Sequence, residues 1–143
     1  MPLVQITAAE NLLNKQSRDE FVSQVSDAIL VAEGADPAFP AAQALVWANY
    51  SETPEGKFYV AGKNIATPPL IVEVTTPELA FNQEARNKLS SDIGEIVNRF
   101  IGTYEDRLNH WAIFHEVAEG SWGGNGQIFS LAGIQDVMNI KVA

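Results

Sequence analysis

The stretch Pro2-Leu3-Val4-Gln5-Ile6-Thr7, read against Leu70-Ile71-Val72-Glu73-Val74-Thr75, decides the fold, because the second is the first repeated 68 residues on. Apolar and polar side chains alternate in both, the pattern of a half-buried strand. The match continues beyond the strands. At the same shift Glu10 meets Glu78, Asn14 meets Asn82, Arg18 meets Arg86, Phe21 meets Leu89, Val25 meets Ile93 and Gly34 meets Gly102. The shift then falls to 64, pairing Trp47 with Trp111, Tyr50 with Phe114, Glu52 with Glu116, Glu55 with Glu119, Gly56 with Gly120, Phe58 with Trp122 and Gly62 with Gly126. The loop after the first helix is therefore four residues longer than its counterpart. Two β-α-β units in tandem, about 2–63 and 70–131, account for this pattern within one domain spanning 1–143.

From Asn14 to Glu33 the apolar residues Phe21, Val25, Ala28, Ile29 and Ala32 recur at helical spacing, with Asn14 as N-cap and Gly34 as stop. Pro37 and Pro40 make Ala35–Ala42 a loop, and Gln43–Tyr50 reads as a buried strand. A turn at Glu52–Gly56 leads to a short extended piece, Phe58-Tyr59-Val60, and a connector containing Pro68 and Pro69. The second unit follows the same plan, with a strand at Leu70–Val74, a helix from Asn82 to about Ile101, and a strand at His110–Val117. Then come a glycine-rich turn at Ser121–Gly126, a piece at Ile128–Leu131 and a short tail. Right-handed crossovers would bring the strands together as an α+β fold, a four-stranded sheet with both helices on one face. The opposite face would be left open, which predicts an oligomer.

The chain has 143 residues, 46% of them hydrophobic, which is enough for one buried core. A net charge of −9 lacks the basic footprint of a nucleic-acid or anionic-membrane binder. No cysteine is present, so disulfides and thiolate metal sites are excluded. His110 and His115, five apart on one strand, would point to opposite faces, and no metal-ligand spacing occurs. The glycines at 123, 124 and 126 do not lead from a strand into a helix, so a dinucleotide fingerprint is rejected and no cofactor is expected. Without a leader-like segment or a run of about 18 apolar residues, the expected location is the cytoplasm, away from membranes.

Pro2 is a candidate general base. A strand's first residue tolerates proline. If Met1 is removed, the ring nitrogen becomes a secondary amine, and apolar surroundings would favour its uncharged form. With Met1 in place the same nitrogen is an amide and cannot act as a base.

The Met-Pro start, the doubled β-α-β unit, the segment Val25–Ile29 and the turns Glu52–Gly62 and Glu116–Gly126 together resemble the tautomerase superfamily. The chain is most similar to its long two-unit members, the cis-3-chloroacrylic acid dehalogenase and malonate semialdehyde decarboxylase groups. That resemblance implies a trimer with a catalytic amino-terminal proline. Since Leu70 holds the equivalent place in the second unit, it implies one such proline per chain.

Several family residues are replaced. Where the dehalogenases and decarboxylases carry paired arginines, this chain has Thr75–Ala80. The dehalogenases' helix histidine is Ile29, their water-activating acid falls at Gly124, and the arginine of the short tautomerases aligns with Trp47 and Trp111. What remains around Pro2 is an aromatic set, Phe58, Trp122, Trp47 and Trp111, with Asn49 and His115 as candidates to grip a carbonyl or enol oxygen. Such a site suits keto–enol conversion of a small, aromatic or weakly charged carbonyl compound. The alternatives are a non-catalytic trimeric binding protein and a hydratase, dehalogenase or decarboxylase.

Overall fold

The computed structural model describes residues 1–141. Strand β1 (Leu3–Ala9) alternates as expected, sending Val4, Ile6 and Ala8 into the core and Leu3, Gln5 and Thr7 to the other face. Helix α1 (Lys15–Glu33) starts where the Asn14 side chain accepts from the Ser17 N–H at 2.8 Å. It stops at Gly34, whose φ of 86° is left-handed and suits glycine. The loop beyond it holds a helical turn, α2 (Pro40–Gln43). Pro40 sits at its first position, where a missing N–H costs nothing, so this proline starts a helix rather than barring one.

The strand expected at Gln43–Tyr50 is displaced. Strand β2 runs Trp47–Thr53 and lies at the sheet edge, largely exposed. Gln43 is taken up by α2, and β2 pairs with β1 only from Trp47 onward. A hairpin of β3 (Tyr59–Val60) and β4 (Lys63–Asn64) closes the first unit.

In the second unit β5 (Leu70–Pro77) buries Leu70, Val72 and Val74. Helix α3 (Gln83–Ile101) is capped by Asn82, which accepts from the Ala85 N–H at 2.8 Å, just as Asn14 caps α1. Strand β6 (His110–Val117) and the hairpin β7 (Gly123–Gly124) and β8 (Gln127–Ile128) complete the repeat. The expected tail is a further helix, α4 (Leu131–Val137), capped by Ser130. Its apolar residues Ile134 and Met138, spaced one turn apart, seat it on the domain.

The sheet order is β2-β1-β5-β6, with each unit's strands parallel and the two units joined antiparallel through β1 and β5. Both long helices cover one face. Their residues Phe21, Val25, Ile29, Leu89, Ile93 and Val97 are fully buried with the inward side chains of β1 and β5. Phe21 and Phe100 meet edge to face with ring centroids 5.4 Å apart, locking α1 to α3. A second cluster joins Leu30, Ala35 and Ala42 to Ile134 and Met138, with Met1, Trp122 and Phe129 at its margin. The other sheet face is bare. Trp47, Trp111 and Ile113 stand exposed on it, 68%, 58% and 39% accessible.

His110 faces the helices and His115 the open side, as their spacing predicted. Asn109, buried beneath the start of β6, donates to Asn98 Oδ1 and to the Gly102 carbonyl at 2.8 and 2.7 Å, tying the end of α3 to the sheet. Its own Oδ1 lies 2.7 Å from His110 Nδ1. Burial lowers the pKa of His110 below its ordinary value. On acidification the unfolded chain takes up this proton first, so stability is lost as pH falls from about 6.5 towards the lowered folded value. The melting temperature of the wild type is therefore expected to drop more between pH 7 and pH 5 than that of His110→Gln.

Candidate functional site

The antiparallel joining of the units decides what surrounds Pro2. Because β1 and β5 run in opposite directions, Leu3 pairs with Thr75, and Thr75 with His115. The beginning of the first unit thus lies beside the end of the second. Pro2 is buried there, its carbonyl accepting from the Trp47 N–H at 3.1 Å. An open cleft of about 520 Å³ lies against it. Its walls are Met1, Pro2, Leu3, Leu45 and Trp47 on one side, and Thr75, Val117, Ser121–Asn125 and Phe129 on the other.

Among the residues expected at the site, Pro2, Trp47 and Trp122 share this cleft. Trp47 donates its indole N–H to the Ala44 carbonyl at 3.0 Å, which fixes the ring at the rim. Trp122 points its indole N–H at the sulfur of Met1, 2.8 Å away. Phe58 lies elsewhere. It lines a cavity of about 320 Å³ between the ends of β1 and β2 and the segment Ile65–Pro68 that leads to β5, whose first residue, Leu70, stands in place of a terminal proline. Trp122 and Phe58 are repeat equivalents, so each hairpin serves the other unit's strand start.

Asn49, His115 and Trp111 all project from the open sheet face, and none lines the Pro2 cleft. Asn49 pairs across the sheet with Gln5 and donates to Ser51 Oγ at 3.4 Å. The ring of His115 lies 3.1 Å from Glu73 Oε1. Trp111 pairs with Ile71, towards the far end of the sheet from Pro2.

Leu45 and Phe129 were not anticipated, since nothing in their local sequence marks them. Phe129 has a definite effect. A Cβ built on Gly124 would come within 3.1 Å of its ring, so the position that would hold a water-activating acid has no room for a side chain unless Phe129 moves. Among the described residues no lysine or arginine lines the cleft. Arg18 is engaged with Glu52 at 3.7 Å, and Arg86 with Glu116 at 3.0 Å and the Phe81 carbonyl at 3.0 Å. Arg99 is held by Gln24, and Arg107 by Asp106 and the Thr67 carbonyl.

One more ionisable group stands behind the cleft. Glu33, at the end of α1, has a side chain only 2% accessible, and its carboxylate lies 3.6 Å from the Met1 ammonium. Neither of its oxygens has a hydrogen-bond partner among the described residues. Burial raises the carboxyl pKa, against the pull of the ammonium. The ammonium's own pKa is lowered by burial, against the pull of Glu33. Among the described residues no group of three His, Asp or Glu side chains converges to hold a metal ion, and no helix is long and apolar enough to cross a membrane.

No curated protein sequence matches this chain. Among solved structures, Pt0534 inactivated by 2-oxo-3-pentynoate is similar, at 25% identity and a TM-score of 0.74, over 91% of this chain and 97% of that one. A fused 4-OT solved as an asymmetric trimer superposes with a TM-score of 0.74 at 11% identity, covering 88% of this chain and 94% of its own. A member of the cis-3-chloroacrylic acid dehalogenase family gives 0.75 at 11% identity, covering 94% and 87%. The last two likenesses concern the fold alone. The sequence family described as "Putative oxalocrotonate tautomerase enzyme" matches residues 1–135, nearly the whole chain. The doubled β-α-β sheet, the proline at its first strand and this match together make the chain a two-unit member of the tautomerase superfamily.

Proposed function

We propose that the chain, once Met1 is removed, is a cofactor-independent keto–enol tautomerase whose Pro2 amine moves a proton between carbon and oxygen of a small carbonyl compound. The observation that carries this reading is the position of Pro2, buried against a cleft that Trp47, Trp122 and Phe129 also line. Apolar surroundings disfavour the charged amine and so leave it able to accept a proton near neutral pH. The Trp122 indole N–H, which meets the Met1 sulfur in the untrimmed chain, becomes a free donor when that residue leaves. It is suited to hold an enolate oxygen as charge develops there. Trp47 supplies a flat apolar wall for an aromatic substituent.

The crowding at Gly124 by Phe129, and the absence of a lysine or arginine lining the cleft, speak against hydration or dehalogenation of an acid. The fused 4-OT is a trimer; three copies of this chain would likewise associate, closing over the open sheet face that leaves Trp111 and Ile113 exposed, and the protein would work in the cytoplasm. Asn49, His115 and Trp111 would then belong to that packing.

The reagent that inactivates Pt0534 offers the test. Met-free protein incubated with 2-oxo-3-pentynoate is expected to gain a single covalent adduct, found on the N-terminal peptide by mass spectrometry. A protein left unmodified, or modified only elsewhere, would overturn the proposal that Pro2 is the reactive amine.

A further inference from the structure

Glu33 is a carboxyl group in a place where its charged form is costly. Its side chain is 2% accessible and neither oxygen is hydrogen-bonded among the described residues, a state that is strongly unfavourable unless a positive charge stands close by. Among the described residues the one charge that bears on it is the chain's own N-terminal ammonium, 3.6 Å away. Neighbouring elements offer no substitute. Asp36 beyond α1, Asp136 on α4 and Lys141 after it are exposed, Asp36 capping the Ala38 N–H, and α2 carries no charged residue.

The internal repeat gives an independent comparison. Position 33 of the first unit corresponds to Ile101 of the second, as Pro2 corresponds to Leu70. The acid is present only in the unit whose first strand carries the terminus.

Removal of Met1 moves the terminal charge by one residue, from the Met1 nitrogen to the Pro2 nitrogen. Covalent geometry limits that displacement to roughly 3.6 Å, so the new ammonium stays within about 7 Å of the Glu33 carboxylate even without any local adjustment. Pro2 itself is held by the bond from the Trp47 N–H to its carbonyl. We infer that Glu33 is the charge partner of the Pro2 amine, a positioning residue that stabilises the ammonium formed when Pro2 takes the substrate's proton. This rests on the proposed role of Pro2 and deepens it. Desolvation alone would make the amine a weak holder of a proton, whereas a buried anion beside it lets the amine both take the proton and keep it until it is returned. No proton passes to Glu33 in this scheme.

The test reads the amine directly. Protein labelled with 15N-proline, with Met1 removed, is titrated by direct 15N NMR of the Pro2 nitrogen in wild type and in Glu33→Gln. The Pro2 pKa is expected to fall by about one unit in the variant, and the acid limb of kcat/KM for phenylenolpyruvate ketonisation is expected to move down with it. The reciprocal measurement needs no substitution. Carbamylation of Pro2 removes its charge, and the Glu33 carboxyl, followed by 13C NMR, should then titrate at higher pH. This second arm decides the matter if Glu33→Gln does not fold. Unchanged titration of Pro2 in a folded variant, or of Glu33 after carbamylation, would overturn the inference. Because the two NMR titrations are read without turnover, they are independent of whether the protein proves to be a tautomerase.

Discussion

Met-free protein carrying Pro2→Ala is expected to ketonise phenylenolpyruvate at least about 100-fold more slowly in kcat/KM than the wild type, the lower end of what a positioned acid–base group contributes. The substitution does not remove the amine. It leaves a primary one in the same surroundings but on a freely rotating N–Cα bond, in place of a ring nitrogen whose direction is fixed by the buried proline. The loss should therefore appear chiefly in kcat, since Trp47 and Trp122 still line the cleft and bind substrate as before. The fold should be unaffected, as β1 begins at Leu3 and its register with β2 and β5 does not involve the proline ring. A circular dichroism spectrum and melting temperature matching wild type would separate lost chemistry from lost structure.

The second large effect concerns assembly. Ile113 lies on the bare sheet face, 39% accessible, in a row with Glu73, Gln5 and Asn49. If three chains close over that face, Ile113→Asp places a new carboxylate beside Glu73 in each of three equivalent interfaces. Burying like charges side by side costs several kcal/mol per site, enough to dissociate a trimer at micromolar concentration. The substituted strand keeps its inward residues Ala112 and Phe114, so the single chain should remain folded. Sedimentation velocity is expected to show wild type at three times the 15.6 kDa chain mass and the variant at one. A wild type that sediments as a monomer, or a variant that remains trimeric, would count against this use of the face.

The sequence carried the architecture because the fold is a repeat. Equivalent caps at Asn14 and Asn82, equivalent aromatics at Phe58 and Trp122, and matched strand alternation each give the same reading twice, and the structure follows them. Errors arose where the units differ. The four extra residues after α1 hold α2, started by a proline that looked like a breaker, and this pushed β2 to Trp47. Helix α4 has no counterpart in the first unit, and the buried pair Ile134 and Met138 is too little to stand out as a period.

The site was less legible than the fold. The repeat identifies Phe58 and Trp122 as equivalents but does not say which of them meets Pro2. That depends on β1 and β5 being antiparallel neighbours, a feature of pairing that no local pattern encodes. For the same reason Asn49, His115 and Trp111, though on the right strands, project from the open face and stand outside the cleft. Nothing in the sequence marks Glu33, which sits at the end of a helix, where one more acid among the chain's 18 Asp and Glu reads as solvated. Its charge partner, the Met1 ammonium, comes to it only in the fold, where the same nitrogen also meets the Met138 sulfur from the far end of the chain.

The most direct test compares two forms of the same chain, one with Met1 removed and one with Met1 retained, each confirmed by intact mass, in the ketonisation of phenylenolpyruvate. The free secondary amine is the difference between them that matters to proton transfer. Turnover by the Met-free form and none above buffer by the Met-retained form is the predicted result. Equal rates from both would contradict the account, because an amide nitrogen at Pro2 cannot be the base.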